Sequence, residues 1–260
     1  GGEEEALAGI EDIVGHDVPI IGGSAADNSV EGNWYVLDGA SHSQSGVVVS
    51  VLFPSEPVSF AYQNGYAPTE KSGVITKTDG RQVLEIDDQP AMQVYSNWTG
   101  GAVAETPMGD DPQPILSDST MWPLGRPAGA LNDVPFYLLA HPAVAHGSGA
   151  MDLFATVIPG EEITLMHGTQ KGLVERAGRV ASLVRQNSTN PATPPIGALM
   201  IYCGGCMLSV QDHLDDVVTG VNTALDGAPF LGAFTFGEQG PLIRGGNRHG
   251  NLMISCIIFG

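Results

Sequence analysis

Basic residues are scarce in this chain of 260 residues. Ten lysines and arginines stand against 29 aspartates and glutamates, which gives a formal net charge of −19 at pH 7. A surface this acidic repels the phosphate backbone of nucleic acids and the headgroups of anionic lipids. We therefore expect neither nucleic acid nor a membrane surface among the partners.

Cysteine is also rare, with three residues in the chain. A sparse, odd count argues against a disulfide framework and agrees with a reducing compartment, so we expect a cytoplasmic protein with free thiols. No apolar run reaches the roughly 18 residues of a membrane-spanning helix, and the amino end is acidic where a secretory signal would be basic. Because the chain begins within a predicted helix, we expect further sequence upstream in the full-length protein.

The signatures of common catalytic sites are missing. The sequence contains no Gly-x-Ser-x-Gly, no Ser-x-x-Lys, no Walker loop and no Gly-x-Gly-x-x-Gly with a following acid. The seven histidines are scattered and do not show the spacing of paired metal ligands. These absences favour a binding or sensory protein over an enzyme, and we expect no metal site.

The last third of the chain carries the most informative pattern. Residues 196–202 form an apolar run that is too short for a buried helix, which predicts a central strand ending at Cys203. Residues 229–236 predict a second strand, followed by a turn over residues 237–241 that contains the acid Glu238. We expect the ends of these two strands to bring Cys203 and Glu238 together.

Cys203 and Cys206 have the Cys-x-x-Cys spacing of a redox dithiol. No basic residue lies between them or immediately before them, so we expect both to be unreactive free thiols. Two other hypotheses stay open: an enzyme that uses Cys203 with His167 or His249 as its base, and a zinc site with the same histidines as helpers. Cys256 lies in an apolar run and is predicted to be part of the core.

An earlier strand end offers a second candidate site element. Residues 18–21 predict a short strand that runs into Gly22, Gly23 and Ser24. Paired glycines at a strand end let the backbone approach a ligand or another strand closely, although a tight turn is the simpler interpretation. His167 follows a further predicted strand, residues 162–166, and a single histidine of this kind can be the proximal ligand of a haem.

The remaining patterns predict the layout of the fold. The region from residue 33 to residue 86 is rich in short strands that suit an antiparallel meander. Within it, residues 46–53 are apolar on both faces, which predicts a strand covered on both sides. Residues 100–133 are rich in Gly, Pro and Asp and are predicted to be mostly loop. Residues 170–186 predict a helix with an apolar stripe.

Five short motifs, taken in order, resemble those of the FIST family. They are Gly-Gly-Ser-Ala at 22–25, Asp-Gln-Pro-Ala-Met-Gln-Val-Tyr at 88–95, Glu-Glu-Ile-Thr-Leu-Met-His-Gly at 161–168, Cys203, and Gly237 with Glu238. The chain departs from the family at Cys206, where the family commonly has Arg. An anion-binding role of that Arg therefore does not carry over directly.

The resemblance implies an α+β fold of mostly antiparallel sheets sandwiched with helices, in two quasi-equivalent halves. Residues 1–88 would be the C-terminal part of an N-type half, and residues 89–260 a C-type half. The implied function is a sensory domain of intracellular signal transduction that binds an amino-acid-like ligand and acts on a signalling output protein or domain. A haem-based gas sensor and a thiol-dependent enzyme are the alternatives. The ligand-binding residues expected at the meeting of the strand ends are Gly22, Gly23, Ser24, His167, Cys203 and Glu238.

Overall fold

The computed structural model describes residues 2–25, 27, 31–105, 111–131, 134–189, 191–242 and 246–260. Its helices are α1 (Glu3–Val14), α2 (Ala91–Trp98), α3 (Leu116–Ser119), α4 (Gln170–Gln186), α5 (Gly204–Ser209) and α6 (Leu214–Ala224). Its strands are β1 (Gly22–Gly23), β2 (Val36–Asp38), β3 (Ser41–Ser43), β4 (Ser59–Gln63), β5 (Ala67–Asp79), β6 (Gln82–Ile86), β7 (Gln89–Pro90), β8 (Gln113–Pro114), β9 (Leu124–Leu131), β10 (Val134–Ala140), β11 (Pro142–Ala145), β12 (Met151–Leu153), β13 (Glu162–His167), β14 (Gly197–Cys203), β15 (Phe230–Thr235), β16 (Glu238–Leu242), β17 (Gly246–Gly250) and β18 (Ile254–Phe259).

Helix α4 has the bounds that the sequence predicts. Its first turn is capped by Thr169, whose hydroxyl accepts a hydrogen bond of 3.0 Å from the backbone N–H of Gly172. The helix packs against α6, and the two backbones approach closely where Gly178 faces Gly220. A Cβ at position 178 would lie 2.9 Å from the backbone of Gly220, so glycine is required for this contact. Among the described residues, no helix combines the length and the hydrophobicity of a membrane span.

A four-stranded sheet, in the order β15-β14-β18-β4, lies beneath α4. The apolar run predicted as a central strand is β14, and it has a neighbour on each side. Strands β14 and β15 are parallel and pair Cys203 with Thr235 at their carboxyl ends. The side chains between this sheet and the helices α4 and α6 form one of the two hydrophobic cores.

Strands β2 and β3 form a small two-stranded sheet, and two other sheets carry strands from both predicted halves of the chain. The largest has the order β10-β9-β13-β5-β6-β12-β11-β8, with β7 beside β6, and the second core lies between it and α2. A three-stranded sheet, β1-β16-β17, pairs Gly23 with Glu238. Antiparallel pairing dominates, which confirms the predicted α+β class. The division at residues 88 and 89 stays a prediction, since it does not coincide with a break between sheets.

Four local predictions are wrong. Residues 18–21 form no strand, and strand pairing begins only at Gly22. Residues 46–53 form no strand and are exposed, Phe53 to 91%, because no neighbouring strand in the described part of the chain pairs with them. The predicted loop over residues 100–133 contains β8, α3 and β9, and the Gly and Pro residues of β9 concealed its pattern. Residues 106–110 and 132–133 of that region lie outside the described residues. The predicted turn after residue 236 is largely the strand β16.

Candidate functional site

The strand ends predicted to form the site do meet in the structure. We define the strand-end cluster as Gly23, Ser24, Cys203, Thr235 and Glu238. Parallel pairing sets Cys203 beside Thr235, and antiparallel pairing sets Gly23 beside Glu238. The Thr235 hydroxyl donates a hydrogen bond of 3.0 Å to Glu238, which ties the two pairings together.

Glu238 is enclosed by the protein. Its side chain has no exposed surface, Oε1 accepts from the Thr235 hydroxyl, and Oε2 accepts from the backbone N–H of Met253 at 2.8 Å. Burial raises the pKa of Glu238 to about 8, although the N–H of Met253 and the hydroxyl of Thr235 oppose the shift. The carboxyl group therefore holds two chain segments together and offers no open face to a ligand.

The two glycines of β1 differ in what surrounds them. A Cβ at Gly23 would lie 2.4 Å from a side-chain atom of Thr235, whereas a Cβ at Gly22 would meet nothing closer than Gln239 at 3.4 Å. Gly23 is thus needed for close contact with another strand, and not for the tight turn that was the simpler interpretation of the sequence. Ser24 continues this contact, because its N–H donates to the carbonyl of Gly237 at 2.9 Å.

We expect Gly23→Ala to lower the free energy of unfolding by about 1–3 kcal/mol, since an added methyl overlaps Thr235 and forces a backbone shift. Gly22→Ala is the matched control on the neighbouring residue and should change stability by less than about 1 kcal/mol. Urea unfolding of both variants measures the difference. Equal losses in the two variants would contradict the close-contact role of Gly23.

His167 ends a strand of the largest sheet, whereas the strand-end cluster belongs to the two smaller sheets that contain β15 and β16. Its ring stacks on Trp122, with the centroids 4.3 Å apart and the planes inclined by 28°. The side chain is half-buried at the end of β13. Packing against Trp122 accounts for its position, and its role as a haem ligand or a catalytic base stays a hypothesis.

The thiols have a basic neighbour that the sequence did not reveal. All three cysteines are free and buried. We define the thiol cluster as Cys203, Cys206, Tyr66 and Arg176. The Tyr66 hydroxyl lies 3.3 Å from Cys206 Sγ, and the positive charge of Arg176 lowers the pKa of Cys206. The prediction of free thiols is confirmed, whereas the argument that no basic group lies near the pair is wrong.

Arg176 is fully buried on α4. Its Nη1 donates to the carbonyl oxygens of Asn64 and Leu252 at 2.8 and 2.7 Å, and its guanidinium lies 4.5 Å from the ring centre of Tyr202. Nε and Nη2 are buried without a hydrogen-bond partner. The sequence does hold a signal for this residue: position 176 falls in the apolar stripe of the predicted helix, between Leu173 and Val180, where a basic residue is unexpected.

The two thiols respond to this environment in opposite directions. Burial alone would raise the pKa of Cys206, but a hydrogen bond from Cys203, the charge of Arg176 and the Tyr66 hydroxyl outweigh it and lower the pKa to about 6. The same hydrogen bond and burial raise the pKa of Cys203. This environment therefore favours the thiolate at Cys206 and the protonated thiol at Cys203.

An open pocket of about 430 Å³ lies beside β17. We call it the charged pocket. It contains none of the six residues predicted from the sequence. Its lining residues are Glu4, Arg126, Pro127, Ala128, Leu138, Glu161, Arg248 and His249.

Charges of both signs face the charged pocket. Arg126 donates to the carbonyl oxygen of Thr156 at 2.8 Å and lies 3.6 Å from the carboxylate of Glu161, while its Nε is buried without a partner. Arg248 is exposed, and its Nη1 donates to the carbonyl oxygen of Asn247 at 2.9 Å. Each guanidinium thus keeps N–H groups that can donate hydrogen bonds to a bound anion.

A third arginine, Arg81, pairs with Glu4 of the pocket lining and with the adjacent Glu3. Arg81 donates to Glu3 at 2.7 Å and to Glu4 at 2.8 Å. Partial burial would raise the pKa of Glu3, but the hydrogen bond from Arg81 outweighs it and lowers the pKa to about 2. Glu3, Glu4 and His249 bring ligand atoms within 4.8 Å of one another, as a metal site requires. Arg81 bridges both carboxylates, so a guanidinium already fills the position that a cation would take.

One side chain connects the charged pocket to the strand-end cluster. Gln239 Nε2 lies 3.2 Å from Nδ1 of His249 and 3.4 Å from the hydroxyl of Ser24. Gln239 follows Glu238 in β16 and pairs with Gly22. The sequence identified Ser24 and this strand end, but not the pocket next to them.

Sequence reasoning missed the charged pocket because its residues are far apart in the chain. Arg126 falls in the region that was predicted to be mostly loop, and Arg248 belongs to no motif. The available signal was compositional: these two are among ten basic residues in a strongly acidic chain. Only the packing of β10 against both β9 and β17 brings them together.

Comparisons with known proteins find matches to the two domain models of one family, which together cover most of the chain. Residues 91–241 match the family model of the FIST C domain, and residues 1–89 match that of the FIST N domain. The uncharacterized protein MJ1623 of Methanocaldococcus jannaschii is 32% identical over 95 residues, which are 36% of this chain and 18% of that protein. The chain thus matches less than a fifth of that relative's length. No solved structure matches the chain.

Proposed function

Since the chain belongs to the FIST family, whose domains are associated with sensing in signal transduction, we propose that it is a sensory domain that binds a small zwitterion in the charged pocket. The observation that carries the proposal is the meeting of two arginines, two glutamates and an apolar surface around one opening of about 430 Å³. This volume is in the range of roughly 300–1,000 Å³ that small-molecule sites occupy.

An amino-acid-like ligand fits the chemistry of this lining. A carboxylate can accept charge-assisted hydrogen bonds from Arg126 and Arg248, and an ammonium group can donate to Glu161 or Glu4. An aliphatic side chain of the ligand can contact the apolar part of the lining, which consists of Pro127, Ala128 and Leu138. Opposed charges also discriminate, because a ligand that lacks one charge leaves a partner unpaired.

The residues next to the pocket suggest how binding is transmitted. His249 lines the pocket, and Gln239 links it to Ser24 at the strand-end cluster. We infer that an occupied pocket alters this link and so the surface offered to a signalling output protein or domain. Free, buried thiols support a reducing compartment, so we place this sensing in the cytoplasm.

Binding can be tested with the twenty L-amino acids in a thermal-shift screen, followed by calorimetric titration of the strongest binder. We expect Arg248→Gln to weaken affinity about 10–150-fold, because a charge-assisted hydrogen bond contributes roughly 1.5–3 kcal/mol. Arg179→Gln is the matched control, since Arg179 is exposed on α4 and pairs with Glu175 outside the pocket. It should leave the affinity unchanged.

Two derivatives of the same amino acid separate the charges. The C-terminal amide lacks the carboxylate, and the N-acetyl form lacks the ammonium group. We expect both to bind at least tenfold more weakly than the parent, with Arg248→Gln costing the amide little further affinity. Full-strength binding of either derivative, or an Arg248→Gln protein that binds like wild type, would place the ligand elsewhere.

A further inference from the structure

The thiol cluster plays no part in the proposed ligand site, yet its groups are arranged for chemistry of their own. Cys203 immediately precedes α5, and Cys206 lies in the first turn of that helix. An N-cap side chain reaches the backbone N–H of the second or third helical residue, so Cys203 lies close to Cys206, and a disulfide needs their Cβ atoms about 3.5–4.5 Å apart. A small adjustment of one turn therefore suffices to join the two sulfurs.

Arg176 and Tyr66 favour a negative charge on the sulfur of Cys206 over one on the sulfur of Cys203. Arg176 brings a permanent positive charge into the core and forms no ion pair with a carboxylate among the described residues. The Tyr66 hydroxyl lies 3.3 Å from Cys206 Sγ and 2.9 Å from the carbonyl oxygen of Thr120, so its proton can turn toward the sulfur when that sulfur is an anion. Interaction with the Cys203 thiol also lowers the pKa of Cys206. All three groups stabilise a negative charge on Cys206.

We propose that Cys206 and Cys203 form a peroxide-sensing dithiol, in which the Cys206 thiolate reacts first and Cys203 closes an intramolecular disulfide. This site is independent of the charged pocket. Its substrate class is hydrogen peroxide and other small, uncharged hydroperoxides.

The reaction balances without any further reagent. The Cys206 thiolate attacks one peroxide oxygen, the O–O bond breaks, and the departing hydroxide takes a proton from solvent to leave as water. Cys206 is then a sulfenic acid. The Cys203 sulfur attacks the Cys206 sulfur, the S–O bond breaks, and the hydroxide leaves as water with the Cys203 proton. Two thiols lose two electrons, and one peroxide becomes two waters.

Burial and charge explain the restriction to small neutral oxidants. Cys206 has no exposed surface and Cys203 only 5%, so a reagent must enter through a local opening. Bulky disulfides do not fit such an opening, and anionic ones are also repelled by a chain of net charge −19. Forming the disulfide removes the anion beside Arg176 and leaves that cation uncompensated in the core, so oxidation should also lower the melting temperature.

The test treats the folded protein with a small excess of hydrogen peroxide, quenches it, and alkylates it under denaturing conditions. We expect the intact mass to show the loss of two hydrogens and the alkylation of Cys256 alone, with all three thiols recovered after reduction by dithiothreitol. An anionic aromatic disulfide should react at least tenfold more slowly with the folded than with the unfolded chain. Peptide mapping that pairs Cys256 with another cysteine, or three thiols surviving peroxide, would overturn the proposal.

Single substitutions assign the roles, with circular dichroism to check that each variant folds. Cys203→Ala should accumulate a sulfenic acid at Cys206 that dimedone captures, because the resolving thiol is absent. Cys206→Ala should leave Cys203 unmodified over the same time. Cys256→Ala is the control and should oxidise like wild type. Dimedone capture at Cys203 in Cys206→Ala, at the rate seen for Cys206, would overturn the assignment.

Thiolate absorbance at 240 nm gives a readout that does not depend on oxidation. We expect one thiolate to appear with a midpoint near pH 6 in the wild type and to vanish in Cys206→Ala. Tyr66→Phe should move the midpoint upward and slow peroxide oxidation at pH 6 several-fold, while Arg176→Lys, which keeps the charge, should shift it less than Arg176→Met does. A midpoint that stays in the range of an ordinary thiol in the wild type would overturn the proposal.

Discussion

Arg176→Ala should lower the free energy of unfolding by about 3–5 kcal/mol, one of the largest losses that a single substitution in this chain can produce. The side chain is enclosed on all sides. Removing it leaves a cavity, strands the carbonyl oxygens that its Nη1 satisfies, and deprives the Cys206 thiolate of its counter-charge. Urea unfolding at pH 7 measures the effect.

The same helix supplies the control for this prediction. Arg179 lies one turn further along α4, is exposed, and forms an ion pair with Glu175 at 3.2 Å. Arg179→Ala should change stability by no more than about 0.5 kcal/mol. Arg176→Met keeps the volume but not the charge, and it should fall between the two. A loss for Arg176→Ala within about 1 kcal/mol of the Arg179→Ala value would show that the buried guanidinium is not part of the core as we describe it.

Glu238→Gln should make the protein progressively more stable than wild type as the pH rises from about 4.5 to 8. Burial raises the pKa of Glu238 from 4.5 to about 8, so the folded protein binds a proton that the unfolded chain releases. The stabilisation by the neutral carboxyl is complete below pH 4.5 and is lost as the pH rises through 8. Each pH unit in this window is worth at most about 1.4 kcal/mol.

We expect the variant and the wild type to differ by less than about 1 kcal/mol at pH 5, and the variant to be more stable by on the order of 3 kcal/mol at pH 8. Glutamine is suited to the site because its oxygen can accept from Met253 and its amide can donate to the Thr235 hydroxyl. Glu5→Gln, the same substitution at an exposed position on α1, supplies the baseline. A difference between variant and wild type that is flat across this window, or that changes in the opposite direction, would mean that the buried carboxyl is charged in the folded protein.

These two predictions concern residues that differ in how clearly their local sequence marks them. Glu238 was identified in advance, because a lone acid among glycines at a strand end is an unusual local pattern. Its surroundings were not, because Met253 approaches it through the packing of a separate strand. Arg176 lies in an apolar helical stripe, a pattern that predicts a buried helix face. The role of one basic residue in that stripe depends on which groups of the facing elements lie against it.

The sequence by itself determined the α+β class, the helix α4, the central strand β14 and the meeting of Cys203 with Glu238. The α+β class follows from the resemblance of short motifs to the FIST family, and the other features follow from local periodicity and from parallel strands that end at the same sheet edge. Tertiary structure alone decided that Glu238 is sealed from ligands, that Arg176 lies beside Cys206, and that Arg126 and Arg248 share a pocket. The physical reason is that burial and electrostatic contact depend on distances between atoms. Residues 15 to more than 100 positions apart have no fixed distance from one another until the chain has folded.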